Sequence, residues 1–88
     1  MLDPLPLKGR TAVVTGSGQN IGEAIAKLFS QAGANVVVNG ASSREKVERV
    51  VAEIRETGGE AIGVMADVGD ADAVEAMVDE AAETFGSV

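Results

Sequence analysis

The sequence predicts an α/β fold, a parallel sheet wound by helices on both faces and built from three successive strand–helix units. Two patterns predict it. Short β-branched apolar runs alternate with longer stretches whose apolar residues recur every three or four positions, which separates buried strands from amphipathic helices. A glycine-rich segment, Thr15 to Gly22, falls where the first strand must turn into the first helix. Strands that alternate with helices need crossover connections, which are right-handed and leave the strands parallel.

Thr11 to Thr15 (TAVVT) is the first strand, apolar enough to be buried on both faces. Ile21, Ile25, Leu28 and Phe29 then recur at helical spacing, and Gly33 stops that helix as a C′ residue. Asn35 to Asn39 (NVVVN) is the second strand. Val47, Val50, Val51 and Ile54 form the apolar face of the second helix, which Gly58-Gly59 closes. Ala61 to Ala66 (AIGVMA) is the third strand, weakened by Gly63. Val74, Met77, Val78, Ala81 and Phe85 outline the third helix, with Asp70 or Asp72 placed to cap it. The third helix ends at Phe85-Gly86, and Ser87-Val88 stand where a fourth strand would begin.

Composition narrows the function classes. The 88 residues contain no cysteine and no histidine, so thiolate, imidazole and disulfide chemistry are excluded and no metal site is expected. Two Phe, no Trp and no Tyr leave Ala, Val and Ile to fill the core. A net charge of -7 disfavours nucleic acid and anionic membranes, both of which need a basic surface. Met1 to Leu7, with Pro4 and Pro6, reads as an irregular lead without a signal peptide, and no apolar run approaches a membrane span. A cytoplasmic protein is expected.

The chemistry resides in the first turn. Gly16 lets the chain leave the strand with dihedrals that a β-carbon resists. The helix starting near Asn20 offers unpaired N–H groups and a partial positive charge, a ready site for a pyrophosphate. Gly22 allows close packing of helix on strand. The spacing Gly16-Ser17-Gly18-Gln19-Asn20-Ile21-Gly22 has one residue more than G-x-G-x-x-G. With Thr15 it resembles the T-G-x-x-x-G-x-G signature of the short-chain dehydrogenases/reductases. Leu7-Lys8-Gly9-Arg10, Gly22-Glu23-Ala24-Ile25-Ala26 and Ala66-Asp67-Val68 extend the likeness over nearly the whole chain. Asn20 replaces the family's usual glycine, and Asn tolerates left-handed dihedrals.

The resemblance implies a Rossmann-like doubly wound parallel sheet, of which residues 1–88 are the N-terminal βαβαβα portion, truncated before the fourth strand. It also implies phosphate contacts by Gly16, Ser17, Gly18, Gln19, Ile21 and Gly22, to which the Asn20 amide is expected to add a donor for the phosphate or ribose. Asp67 would meet the adenine amino group and Val68 the ring; the alternative for Asp67 is a helix-entry cap. NAD-preferring relatives carry an acid at the end of the second strand, and that slot is Asn39 or, by count, Gly40. Neither repels a 2′-phosphate. The stretch Asn39 to Arg44, with Gly40, Ala41, Ser42 and Ser43 between, resembles the segment in NADP-dependent members such as the 3-oxoacyl-(acyl-carrier-protein) reductases. NADP is therefore the expected cofactor and NAD the alternative; Arg44 is either its cation or a solvated first-turn residue.

The family's catalytic tyrosine has no counterpart, and none of Ser17, Ser30, Ser42, Ser43 and Ser87 matches its serine. These residues alone are expected to bind without reacting, as the first part of a larger NAD(P)-dependent oxidoreductase that transfers hydride between cofactor and a carbonyl or alcohol. The missing part would hold that substrate, and the complete protein is expected to form homo-oligomers. The alternative is a non-catalytic nucleotide-binding module or fragment. A methyltransferase turn is disfavoured because Thr15 stands where an acid is typical. In this family the first strand pairs with the fourth, so its outer edge is expected to be bare and prone to pairing.

Overall fold

A computed structural model describes residues 6–86. The first five residues of the Met1–Leu7 lead lie outside the described residues, as do Ser87 and Val88. The elements run β1 (Thr11–Val14), α1 (Asn20–Gln31), β2 (Asn35–Gly40), α2 (Arg44–Glu56), β3 (Ala61–Met65) and α3 (Ala71–Phe85), which is the predicted order. Strand bounds move by one residue. Thr15 already belongs to the turn, β2 runs on through Gly40, and Ala66 lies past the end of β3.

The three strands are parallel in the order β1-β2-β3, with Val14 opposite Val38 and Gly40 opposite Met65. Val36, Val37 and Val38 are fully buried because β2 is central and covered on both faces. Val36 and Val38 meet Val47, Val50, Val51 and Ile54 of α2 together with Ala26 of α1. Val37 points the other way, into a layer with Met77 and Ala81 of α3. The molecule is thus a three-layer sandwich, with α1 and α2 on one face and α3 on the other. Leu7 joins the first layer, and its N–H donates to the Ala32 carbonyl at 2.8 Å, which fastens the end of the lead.

One helix face is a correction. Ile21, Ile25 and Leu28 do not face the sheet: Ile21 is 77% and Leu28 63% exposed. The residues turned inward are Gly22, Ala26 and, half-buried, Phe29. Small residues one turn apart let α1 lie close to the strands, and that approach leaves no room for the larger side chains. Val78 of α3 is also partly exposed. β1 pairs with β2 alone among the described residues, and none of their helices is long and apolar enough to cross a membrane.

α1 and α2 are tied together by a closed square of charges. Lys27 Nζ lies 2.6 Å from both Glu23 and Glu53. Arg49 closes the square at 2.7 Å from Glu23 and 2.6 Å from Glu53. Hydrogen bonds from Arg49 and then Lys27 hold the Glu23 carboxyl down to about 2, against an ordinary 4.5. A depressed carboxylate stabilises the fold fully above its unfolded value and loses that contribution as it becomes protonated. Stability is therefore expected to decline as pH falls from about 4.5 toward about 2. Urea titrations across that range should show a shallower decline for Glu23→Gln than for the unaltered protein.

Candidate functional site

Because the strands are parallel, their C-terminal ends share one edge of the sheet, where open α/β sheets hold their ligands. The β1–α1 and β2–α2 connections both open there. The first connection is shaped by two demands. Gly16 has φ 60°, a left-handed conformation, although a β-carbon would meet nothing within 4 Å. Gly22 is required by space: a β-carbon there would lie 2.2 Å from the Gly16 carbonyl oxygen. Asn20 adopts φ 56°, the one described non-glycine residue in the left-handed region. This is the role its carboxamide side chain tolerates best.

α1 begins without a side-chain cap. Gln19 is the N-cap residue, but its side chain accepts no hydrogen bond from the first turn. Its Oε1 instead accepts from the Lys46 ammonium, across the opening. The first-turn amides of α1 are therefore left for water or an anion.

Beneath the turn lies a buried polar clamp. The Ser17 hydroxyl donates to the Val14 carbonyl at 2.5 Å and accepts from the Asn39 N–H at 2.9 Å. The Ser17 N–H donates to the Asn39 carbonyl at 2.8 Å. Asn39 Oδ1 accepts from the Gly16 N–H at 3.2 Å, and its Nδ2 donates to the carbonyls of Val64 at 3.1 Å and Ala66 at 3.2 Å. Both side chains are buried. Asn39 therefore holds the turn against β3 and is not exposed at the strand end, leaving Gly40 as the residue that meets the opening.

Gly16, Gly18 and Gln19 form one wall of a cleft, and Gly40, Ala41, Ser42 and Ser43 the other, with Lys46 and Val47 behind. No carboxylate lines it. Six of the residues expected from sequence (Gly16, Gly18, Gln19, Gly40, Ala41 and Ser42) are brought together here. Asn20, Ile21 and Gly22 stand on the adjoining helix turn, and Ser17 lies below it with its hydroxyl already engaged. Arg44 is not in the lining; it leans on Glu48 at 3.5 Å on the exposed side of α2. Asp67 and Val68 follow β3 at the same edge and are exposed. Asp67 accepts from the Gly69 N–H at 2.8 Å, whereas the cap of α3 is Asp70, which accepts from Asp72 and Ala73.

Sequence reasoning missed Lys46. A signal was present: Ser43 caps α2 by accepting from the Lys46 N–H at 3.3 Å, so Lys46 holds the place where a capping box has Glu or Gln. A second hollow, among Ser30, Gln31 and Thr57, sits at the C-terminal ends of α1 and α2. Helix dipoles are negative there, so it does not suit an anion. Among the described residues no group of three or more acidic side chains could hold a metal ion.

The sequence profile of the short chain dehydrogenase family matches residues 10–88. A versicolorin reductase from Emericella nidulans is 54% identical over 84 residues, covering 96% of this chain and 32% of the relative. A probable tetrahydroxynaphthalene reductase from Zymoseptoria tritici is 45% identical over 87 residues, or 99% of this chain and 33% of the relative. The crystal structure of a hydroxysteroid dehydrogenase from Escherichia coli superposes with a TM-score of 0.90 at 37% identity, covering 98% of this chain and 35% of that one. The chain thus spans about a third of the length of the curated relatives it matches.

Replacing Asn39 tests the clamp. Asn39→Ala leaves the Gly16 N–H and the Val64 and Ala66 carbonyls without their side-chain partner. At about 1–3 kcal/mol for each group left unsatisfied and buried, and with partial rescue by water, the expected loss is about 3 kcal/mol in chemical denaturation.

Proposed function

The chain belongs to the short chain dehydrogenase family, and from that premise we propose that it is the nucleotide-binding part of an NADP(H)-dependent oxidoreductase acting on a carbonyl or alcohol. The observation that carries the reading is the fit of Gly22 against the Gly16 carbonyl beneath an uncapped helix start. Together they leave a shallow cradle of amides that suits a pyrophosphate. The amides and glycines of Gly18, Gln19, Asn20, Ile21 and Gly22 would hold the phosphates, while Gly16 and Ser17, whose N–H groups donate to Asn39, keep the turn in shape. Asp67 and Val68 would face the adenine, and Gly40, Ala41 and Ser42 the ribose.

The choice of NADP over NAD rests on what stands at the end of β2. An acid there would pair with the ribose hydroxyls and repel a 2′-phosphate; the cleft has none. When bound, the nicotinamide supplies or accepts the hydride. The 88 residues contain no tyrosine, the family's proton donor, so their part would be to bind and orient the cofactor. The names of the relatives, both reductases, favour the reducing direction. A cytoplasmic homo-oligomer completes the reading, supported by family membership.

The absence of tyrosine from these 88 residues also favours a second reading, a nucleotide-binding module without catalysis. Oxidation of NADPH by the protein in the presence of a carbonyl acceptor separates the two.

Calorimetric titration tests the cofactor reading. NADPH is expected to bind more tightly than NADH; the reverse order would overturn the choice. Gly22→Ala drives a methyl group against the Gly16 carbonyl and displaces the turn from the helix start, and the loss of one or two charge-assisted hydrogen bonds should weaken NADPH binding by about 10- to 100-fold.

A further inference from the structure

We propose that Lys46 is the specificity-determining residue of the cleft, the cation that reads the adenosine 2′-phosphate, and that it rests on Gln19 until that phosphate arrives. The inference rests on the NADP(H) reading above. It starts from an oddity of placement. Lys46 is the third residue of α2, in the first turn, where the helix dipole disfavours a positive charge. The residue type that normally fills this place reaches back to the cap as an acceptor; an ammonium cannot. Its side chain instead spans the cleft and donates to the Gln19 carboxamide oxygen.

The charge of Lys46 is also uncompensated. Among the described residues no carboxylate lies within 4.0 Å of it, whereas Lys27 and Arg49 are enclosed by Glu23 and Glu53. Arg44 leans on Glu48, and Arg55 donates to the Ala61 carbonyl at 2.7 Å. Of the basic residues, Lys46 alone both lines the cleft and has a neutral partner. A neutral carboxamide is readily exchanged for a phosphate, because the phosphate brings the ammonium an opposite charge as well as an acceptor. The phosphate would also meet the start of α2, so one anion would relieve both the unpaired ammonium and the unfavourable dipole. Moving from Gln19 to the phosphate releases the Gln19 amide, whose N–H groups then face the same ligand.

The test is calorimetric binding of 2′,5′-ADP and 5′-ADP, which differ only in the phosphate at issue, to the unaltered protein, Lys46→Met, Lys46→Arg and Arg44→Met. Lys46→Met should weaken 2′,5′-ADP by about 10- to 100-fold, the worth of one hydrogen bond between charged groups. Its 5′-ADP binding should stay within twofold, which also reports an intact fold. Lys46→Arg should recover most of the loss. If Lys46→Met keeps the preference for 2′,5′-ADP, or if Arg44→Met alone loses it, the inference fails while the cofactor reading stands. If the unaltered protein does not prefer 2′,5′-ADP, and NADH matches NADPH, both fail.

Discussion

Asn39 sits where the glycine turn, the central strand and the third strand must agree, and its one carboxamide serves all three. The oxygen receives the Gly16 N–H, and the nitrogen reaches two carbonyls at the end of β3. Its main chain meanwhile exchanges hydrogen bonds with Ser17. A loop rich in glycine loses much conformational freedom when it orders. Here that cost is offset inside the fold, by buried bonds that any ligand finds already made. The turn is thus tied to β2 and β3 independently of any ligand.

The cleft also depends on how α1 and α2 are spaced, because one wall begins α1 and the other begins α2. Three features set that spacing. Gly22 and Ala26 bring α1 down onto the sheet, Val47 packs α2 against the same layer, and the four-charge square braces the two helices farther along. Two helix starts thus face one opening, with positive partial charge from both sides. The overall charge of -7 makes this local field stand out against the rest of the surface.

Much of this could be read from the residues. Element order followed from short β-branched runs alternating with period-3.6 patterning, and the glycine turn from its place between strand and helix. Asn20 was expected to accept the dihedrals of a glycine, and it does. What escaped sequence reading has a common physical cause. Periodicity shows that a helix has an apolar side but not which side is pressed against the sheet; on α1 the close approach selected small residues and turned Ile21 and Leu28 outward. Likewise, Asn39 and Lys46 act through partners more than twenty residues away in sequence. No local pattern encodes such a contact, although a lysine three places after a capping serine was a visible departure from rule.

The central place of β2 also bears on how the chain reaches its native state. Each pair of neighbouring strands joins residues about two dozen positions apart, so neither pairing can form until an intervening helix has drawn the ends together. β2 takes part in both. Val36, Val37 and Val38 supply contacts to the layers on either side, so pairing at β2 is the step that makes all later ones local. Truncations within that valine run should therefore slow folding itself, whereas changes on the outer faces of α1 and α3 should act mainly on the unfolding rate.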